Sequence, residues 1–221
     1  MNSLAIETST ESCSVALQAG DEVLLRELVE PRSHATRILP WVDELLAEAD
    51  LSHARIDRFV VSRGPGGFTS LRIGLSIVQG LALAHDRPVH PVSSLDVLAR
   101  SGDPALQHSH LLALLDARMG EVYAAWYRIE GGRRIGCGEE WLGAPEALKP
   151  PDAGPWQAAG PGVQAFHERL SKTLGTSVSL PAADAPIVWP SARALLELAD
   201  AVEGVPGHRI TPTYLRDQVT G

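Results

Sequence analysis

Apolar and polar positions alternate with different periods along the chain, and the changes of period mark its elements. Residues 4–7 form a compact apolar run, and residues 13–19 and 23–29 alternate, which predicts three successive strands. The last two are joined by a hairpin turn at Ala19-Gly20-Asp21. Over residues 34–49 the spacing becomes helical, with Ile38, Val42, Leu45 and Leu46 on one face and Ser33 placed as an N-cap. Pro40 lies past the first turn, where a helix tolerates proline poorly, so a later start or a kink is expected. A buried-type strand over 59–62, a glycine-rich loop, a helix over 70–85, a strand over 88–92 and a helix over 94–100 follow. The order is βββαβαβα.

Strand hairpins followed by strand–helix alternation imply a mixed α/β sheet with an antiparallel edge and a parallel centre. This is the element order of the ribonuclease-H-like domain, the building block of the sugar kinase, Hsp70 and actin superfamily. The second half echoes the first. Residues 111–116 form an apolar strand ending in Asp116, as residues 4–7 end in Glu7, and an alternating strand over 122–126 follows. A third strand is expected over 134–141 after Gly131-Gly132, then a connection over 143–162 with five prolines and four glycines, then helices over 164–173 and 192–203. The expectation is two related lobes, 1–103 and a reduced 104–221, divided near Ser101-Gly102-Asp103-Pro104. The C-terminal tail is a candidate to return to the first lobe.

Composition narrows the function. The 221 residues are 44% hydrophobic and 21% charged, as in a globular protein with a sizeable core. Twenty-seven acids against 19 bases give a net charge of −8, which argues against a direct grip on nucleic acid, where phosphate neutralisation supplies most of the affinity. Two cysteines, Cys13 and Cys137, lie far apart, and neither a disulfide framework nor a zinc site is suggested. Neither a signal peptide nor a membrane span is expected, and the expected location is the cytoplasm.

The loop Arg63-Gly64-Pro65-Gly66-Gly67-Phe68-Thr69-Ser70-Leu71-Arg72 joins a strand to a helix and admits two readings. One is an anion site built from Gly64, Gly66, Gly67, Thr69, Ser70 and Arg72 at a helix N-terminus; the other is a tight turn. It is not a P-loop, for no Gly-Lys-Ser/Thr occurs. The helix after it carries Leu71, Leu75 and Val78 on one side and Ile73, Ile77 and Leu81 on another, so its apolar surface exceeds what one sheet can cover. A second protein is one candidate cover, with Gly74 and Gly80 allowing close packing; burial within one chain is the other. Ile38, Leu39, Trp41, Val42 and Leu45 of the first helix join Leu71, Leu75, Val78 and Leu81 as expected partner-facing positions. Glu7, Asp96 and Asp116 invite a nuclease reading but lack a convincing further acid, and Thr8-Ser9-Thr10 lacks the glycine that would admit a phosphate. His34 has Ile38 one turn on, so a metal-binding histidine pair is missing. His108 and His110 are expected to face solvent.

Residues 4–17, Arg37-Ile38-Leu39-Pro40, residues 64–74, Gln79-Gly80-Leu81-Ala82, Asp116-Ala117-Arg118-Met119-Gly120-Glu121-Val122-Tyr123 and Pro212-Thr213-Tyr214-Leu215-Arg216 resemble the TsaB (YeaZ) family of tRNA threonylcarbamoyladenosine biosynthesis proteins. The resemblance spans nearly the whole chain. It implies two ribonuclease-H-like lobes without catalytic activity, pairing through helices 1 and 2 with the catalytic relative TsaD, which carries the metal. It also implies a complex joined by the ATPase TsaE, with tRNA reached only through that complex. Alone, the same helices are expected to form a homodimer. Ala35 and the Gly-Gly-Phe-Thr-Ser order depart from the family pattern and weaken the anion reading of the loop. The alternative is a free-standing nucleotide-dependent phosphotransferase or metallo-hydrolase of the same fold.

Overall fold

The computed structural model describes residues Met1–Arg216; positions 217–221 of the expected second lobe lie outside the described residues. The first unit begins with β1 (Asn2–Glu7), β2 (Ser12–Ala19) and β3 (Glu22–Val29), followed by α1 (His34–Glu48), β4 (Arg58–Ser62), α2 (Phe68–His85), β5 (Pro88–Val92) and α3 (Ser94–Gly102). The second contains β6 (His110–Arg118), β7 (Glu121–Glu130), β8 (Arg133–Gly136), β9 (Trp141–Gly143), β10 (Trp156–Ala159), α4 (Pro161–Ala165), α5 (His167–Leu174) and β11 (Val178–Ser179). The chain then adds α6 (Ala192–Leu198) and β12 (Val205–Pro206) to the first unit.

The first sheet runs β12-β5-β4-β1-β2-β3, antiparallel from β1 to β3 and parallel through β1, β4 and β5. This is the mixed sheet that the element order predicts. Its two faces differ in residue size for a reason. Leu4, Ile6, Val15, Leu17, Phe59 and Val61 meet α1 and α2, while Ala5, Ala16 and Val60 meet Leu195 and Leu196 of α6. Small side chains at Ala5 and Ala16 let α6 approach, and each fully buried leucine contributes about 1.5–3 kcal/mol. Ser14 Oγ accepts the Ala192 amide at 2.8 Å and fixes the start of that helix.

The division of the chain differs from the expected one. Met1–Val97 and Pro190–Thr213 form one unit, and Leu98–Trp189 with the described residues from Tyr214 to Arg216 forms the other, so the boundary falls inside α3. The far segment joins the first unit because the β1, β2 and β4 face opposite α1 is apolar and α6 supplies its cover.

The second sheet runs β11-β10-β6-β7-β8, with β6 and β7 antiparallel and β10 parallel to both β6 and β11. The expected third strand is broken in two. β8 pairs with residues 127–130 of β7 and β9 with residues 122–124, because the chain departs at Cys137 and Gly138, where Gly138 takes φ +100°. The helix expected over 164–173 is likewise split, at Phe166. Among the described residues no helix is long and apolar enough to cross a membrane.

Candidate functional site

α1 and α2 lie side by side on the first sheet, and their burial sorts the residues expected to meet a partner. Ile38, Val42, Leu45, Leu71, Leu75 and Val78 are not partner-facing: all are buried in the core of the first unit. Their stripe faces β1, β2 and β4, which is the surface the helices must cover to fold at all. Leu39, 46% exposed, and half-buried Trp41 flank the buried stripe of α1, and half-buried Leu81 lies on a shoulder of α2.

At 100° per residue the ridge of α2 opposite its core stripe is Ile73, Ile77, Gly80 and Ala84. Ile73 and Ile77 are half-buried, Gly80 and Ala84 exposed. The two helical glycines have different surroundings. A Cβ at Gly74 would lie 2.3 Å from Thr8 Oγ1, so this glycine is required by packing within the chain. A Cβ at Gly80 would meet nothing within 4 Å. Glycine in a helix interior costs about 0.5–1 kcal/mol relative to alanine, and no contact within the described residues calls for it here.

One flank of α2 is covered by a strap from the far end of the chain, whose return to the first lobe was a candidate but whose place against α2 the sequence pattern does not reveal. Ile210 is buried in the core beside α2, the Gln79 side-chain amide donates to its carbonyl at 3.1 Å, and Gly207 packs against Ala82 and Gln79. Thr213 ends the strap, its amide donating to the Arg63 carbonyl at 2.7 Å while the Arg63 guanidinium donates to its hydroxyl. Part of the all-round apolar character of α2 is thus answered within the chain. The Gln79-Gly80-Leu81-Ala82 and Pro212–Arg216 motifs were the available signal, but nothing in a sequence pairs them.

The glycine-rich loop is occupied by the chain itself. The Gly67 amide donates to the Ser9 carbonyl at 2.8 Å, and a Cβ at Gly66 would fall 2.3 Å from that oxygen. Gly64, at φ +107°, lies so close to Thr213 that a Cβ would come within 2.6 Å of its carbonyl oxygen. Ser70 Oγ donates back to the Gly67 carbonyl at 3.2 Å, the Arg72 guanidinium lies 3.3 Å from the centre of the Phe68 ring, and Thr69 is exposed. The glycines are accounted for by this close packing, as the tight-turn reading requires. Gly67, rather than a hydroxyl, is the N-cap, and α2 begins two residues earlier than expected. At α1, Ser33 holds the N-cap position as expected but makes no side-chain cap bond; its hydroxyl donates to the Glu30 carbonyl at 2.8 Å, and the helix runs through Pro40.

The remaining candidates serve local structure. His34 is buried, with Nε2 2.9 Å from the Thr10 carbonyl. Asp116 holds the β6–β7 hairpin, accepting the Arg118 amide at 2.7 Å, and Arg216 donates to the Ala117 carbonyl at 3.2 Å and to Glu121 at 2.6 Å. Asp96 sits in the first turn of α3. His110 is not solvent-facing as expected: its ring packs edge-on against Trp156 with centroids 4.8 Å apart. The His108 amide donates to the buried Asp103 carboxylate at 2.9 Å. Among the described residues no three His, Cys, Asp or Glu side chains are grouped to hold a metal.

Comparison with known proteins places this geometry. Residues 28–178 match the family described as TsaD, tRNA N6-adenosine threonylcarbamoyltransferase. The tRNA threonylcarbamoyladenosine biosynthesis protein TsaB of Escherichia coli is 38% identical over 99% of this chain and 96% of its own length. That of Haemophilus influenzae is 36% identical over 98% and 94%. The solved structure of YeaZ from Pseudomonas aeruginosa, 39% identical, superposes with a TM-score of 0.87 over 97% of this chain and 99% of its own. The chain belongs to the TsaB (YeaZ) family of tRNA threonylcarbamoyladenosine biosynthesis proteins.

Proposed function

We propose that the chain is a non-catalytic scaffold and activator subunit in the formation of N6-threonylcarbamoyladenosine in tRNAs that read codons beginning with A. The ridge of α2 around Gly80, with Leu39 and Trp41 of α1, pairs with the catalytic subunit TsaD, and the pair receives the ATPase TsaE. Alone, the same ridge joins two copies of the chain. The metal belongs to TsaD and the ATP to TsaE, this chain holding no cofactor; the work is done in the cytoplasm. The net charge of −8 suits a subunit that reaches tRNA only through its partners.

The observation that carries this reading is Gly80, an exposed helical glycine with open space where a Cβ would stand, flanked on its ridge by Ile73, Ile77 and Ala84. Such a position favours the close approach of another backbone. Co-expression with TsaD of the same organism, followed by reconstituted tRNA modification with and without this chain, tests it. The chain should copurify with TsaD and raise the modification rate, and Ala84→Glu, at an exposed position of the same ridge, should abolish both while leaving the fold intact. Equal modification without the chain would remove the activator role, and undiminished pairing of A84E would move the interface elsewhere. Magnesium-dependent ATP turnover by the isolated chain would favour a free-standing enzyme instead.

A further inference from the structure

Glu7 ends β1 with its side chain fully buried. Oε1 accepts the Ser9 amide at 2.6 Å, while Oε2 has no hydrogen-bond partner among the described residues. The hydroxyls of Ser9 and Ser62 are in the same position, buried and unpartnered. The register brings the acid and Ser62 together: Ile6 pairs with Val61 in the parallel β1–β4 ladder, so Glu7 and Ser62 are the next positions on both strands. Three unsatisfied oxygens therefore gather at the ends of two central strands. A buried carboxylate with one oxygen unpartnered lowers its cost by taking up a proton.

We propose that Glu7 is held as a neutral carboxylic acid, its Oε2 proton shared with the Ser62 and Ser9 hydroxyls, and plugs this strand-end position instead of binding a cation there. One proton links the three oxygens: Oε2–H donates to one hydroxyl, and the hydrogen of that hydroxyl donates to the other. The surroundings agree. Burial is the largest influence on Glu7 and raises its pKa above the ordinary 4.5, against the smaller lowering effects of the Ser9 and Ser62 hydroxyls and the Ser9 and Thr8 amides. Burial, the largest influence on it, holds the Cys13 thiol on β2 above its ordinary range, so it adds no charge of its own near neutrality. Of the charged groups on other elements of this face, Arg58 of β4 is committed to Ser3 and Asp200, Arg193 of α6 is exposed, and Asp96 of α3 is half-buried.

The sign follows from the raised value. The contribution of Glu7 to stability is fully present below its ordinary 4.5 and is lost as pH rises through the folded-state value. The full chain and its Glu7→Gln variant, unfolded in denaturant from about pH 5 to about pH 9, test this. The wild-type unfolding constant should rise by up to about tenfold per pH unit within the titrating window, and E7Q, whose amide mimics the protonated acid, should lack that component. Infrared spectra of the wild type should contain a protonated-carboxyl band at neutral pH that shifts when glutamate is labelled with carbon-13, a readout that does not depend on the variant folding. Absence of that band overturns the proposal. So does a wild-type protein stabilised by magnesium or potassium where E7Q is not, which would make Glu7 an ionised cation ligand.

Discussion

The side-chain amide of Gln79 donates to the main-chain carbonyl of Ile210 at 3.1 Å, tying α2 to a strap 131 positions further along the chain. Gln79→Leu removes the donor and leaves the carbonyl unpartnered, a loss of about 1–2 kcal/mol. Amides of residues 207–213 and of the C-terminal half of α2 should exchange faster with deuterium in the variant, while those of β6 and β7 should not change. Identical protection in both proteins would mean that apolar packing of Ile210 alone holds the strap.

Gly80→Ala separates folding from pairing. With nothing within 4 Å of the added Cβ, the isolated chain should gain about 0.5–1 kcal/mol in denaturant unfolding. Sedimentation should show a weaker self-association, and binding to TsaD should weaken with it. A variant that is more stable and pairs as well as the wild type would show that no backbone approaches this point.

Leu75 and Val78 report on the core. Leu75→Ala should cost about 2–5 kcal/mol by leaving a cavity between α2 and the sheet, and Leu75→Glu should prevent cooperative folding, as thermal melts followed by circular dichroism will show. A well-folded L75E would place this side chain on the surface, against its 3% exposure.

Arg58 and Asp200 make the first unit sensitive to acid. The buried guanidinium donates to Ser3 Oγ at 2.9 Å and pairs with Asp200, just beyond α6, holding that carboxyl below its ordinary 3.8. Because the folded value is lowered, the contribution is present above 3.8 and is lost as pH falls through the folded value. Asp200→Asn should therefore destabilise the protein near neutrality and reduce the acid-side loss of stability seen in the wild type. Asp200 is largely exposed, so solvent screening limits the effect to at most about 1 kcal/mol.

The first half of the fold is written locally. Period-two alternation in β2 and β3, helical spacing in α1 and the apolar run of β4 each follow from a face that must be buried, and the resulting mixed sheet is the one observed. What sequence reading missed is non-local. The expected partner-facing set included Leu71, Leu75 and Val78, which the core takes, because both stripes of α2 are apolar and periodicity cannot say which one the sheet covers. Thr8 against Gly74 decides it, and that contact joins residues 66 positions apart (74 − 8). The C-terminal tail was a candidate to return to the first lobe, but nothing in residues 190–213 says that Ala192 and Leu195 take places beside Ala5, or Ile210 in the core with Leu4. The glycines of the loop read equally as an anion cradle or a tight turn until the Ser9 carbonyl is seen to take the Gly67 amide.

The late return of residues 190–213 also sets a timetable for synthesis. On the ribosome, β1 to β5 emerge early, yet the sheet face carrying Ala5, Ala16, Val60 and Val92 has no α6 until about a hundred further residues have been translated. At about 5–20 residues per second, the roughly hundred residues after β5 impose a wait on the order of five to twenty seconds. During that interval a nascent chain presents an apolar sheet face to solvent. Chaperone occupancy should consequently be highest on chains stalled before Pro190 and fall once α6 has cleared the exit tunnel.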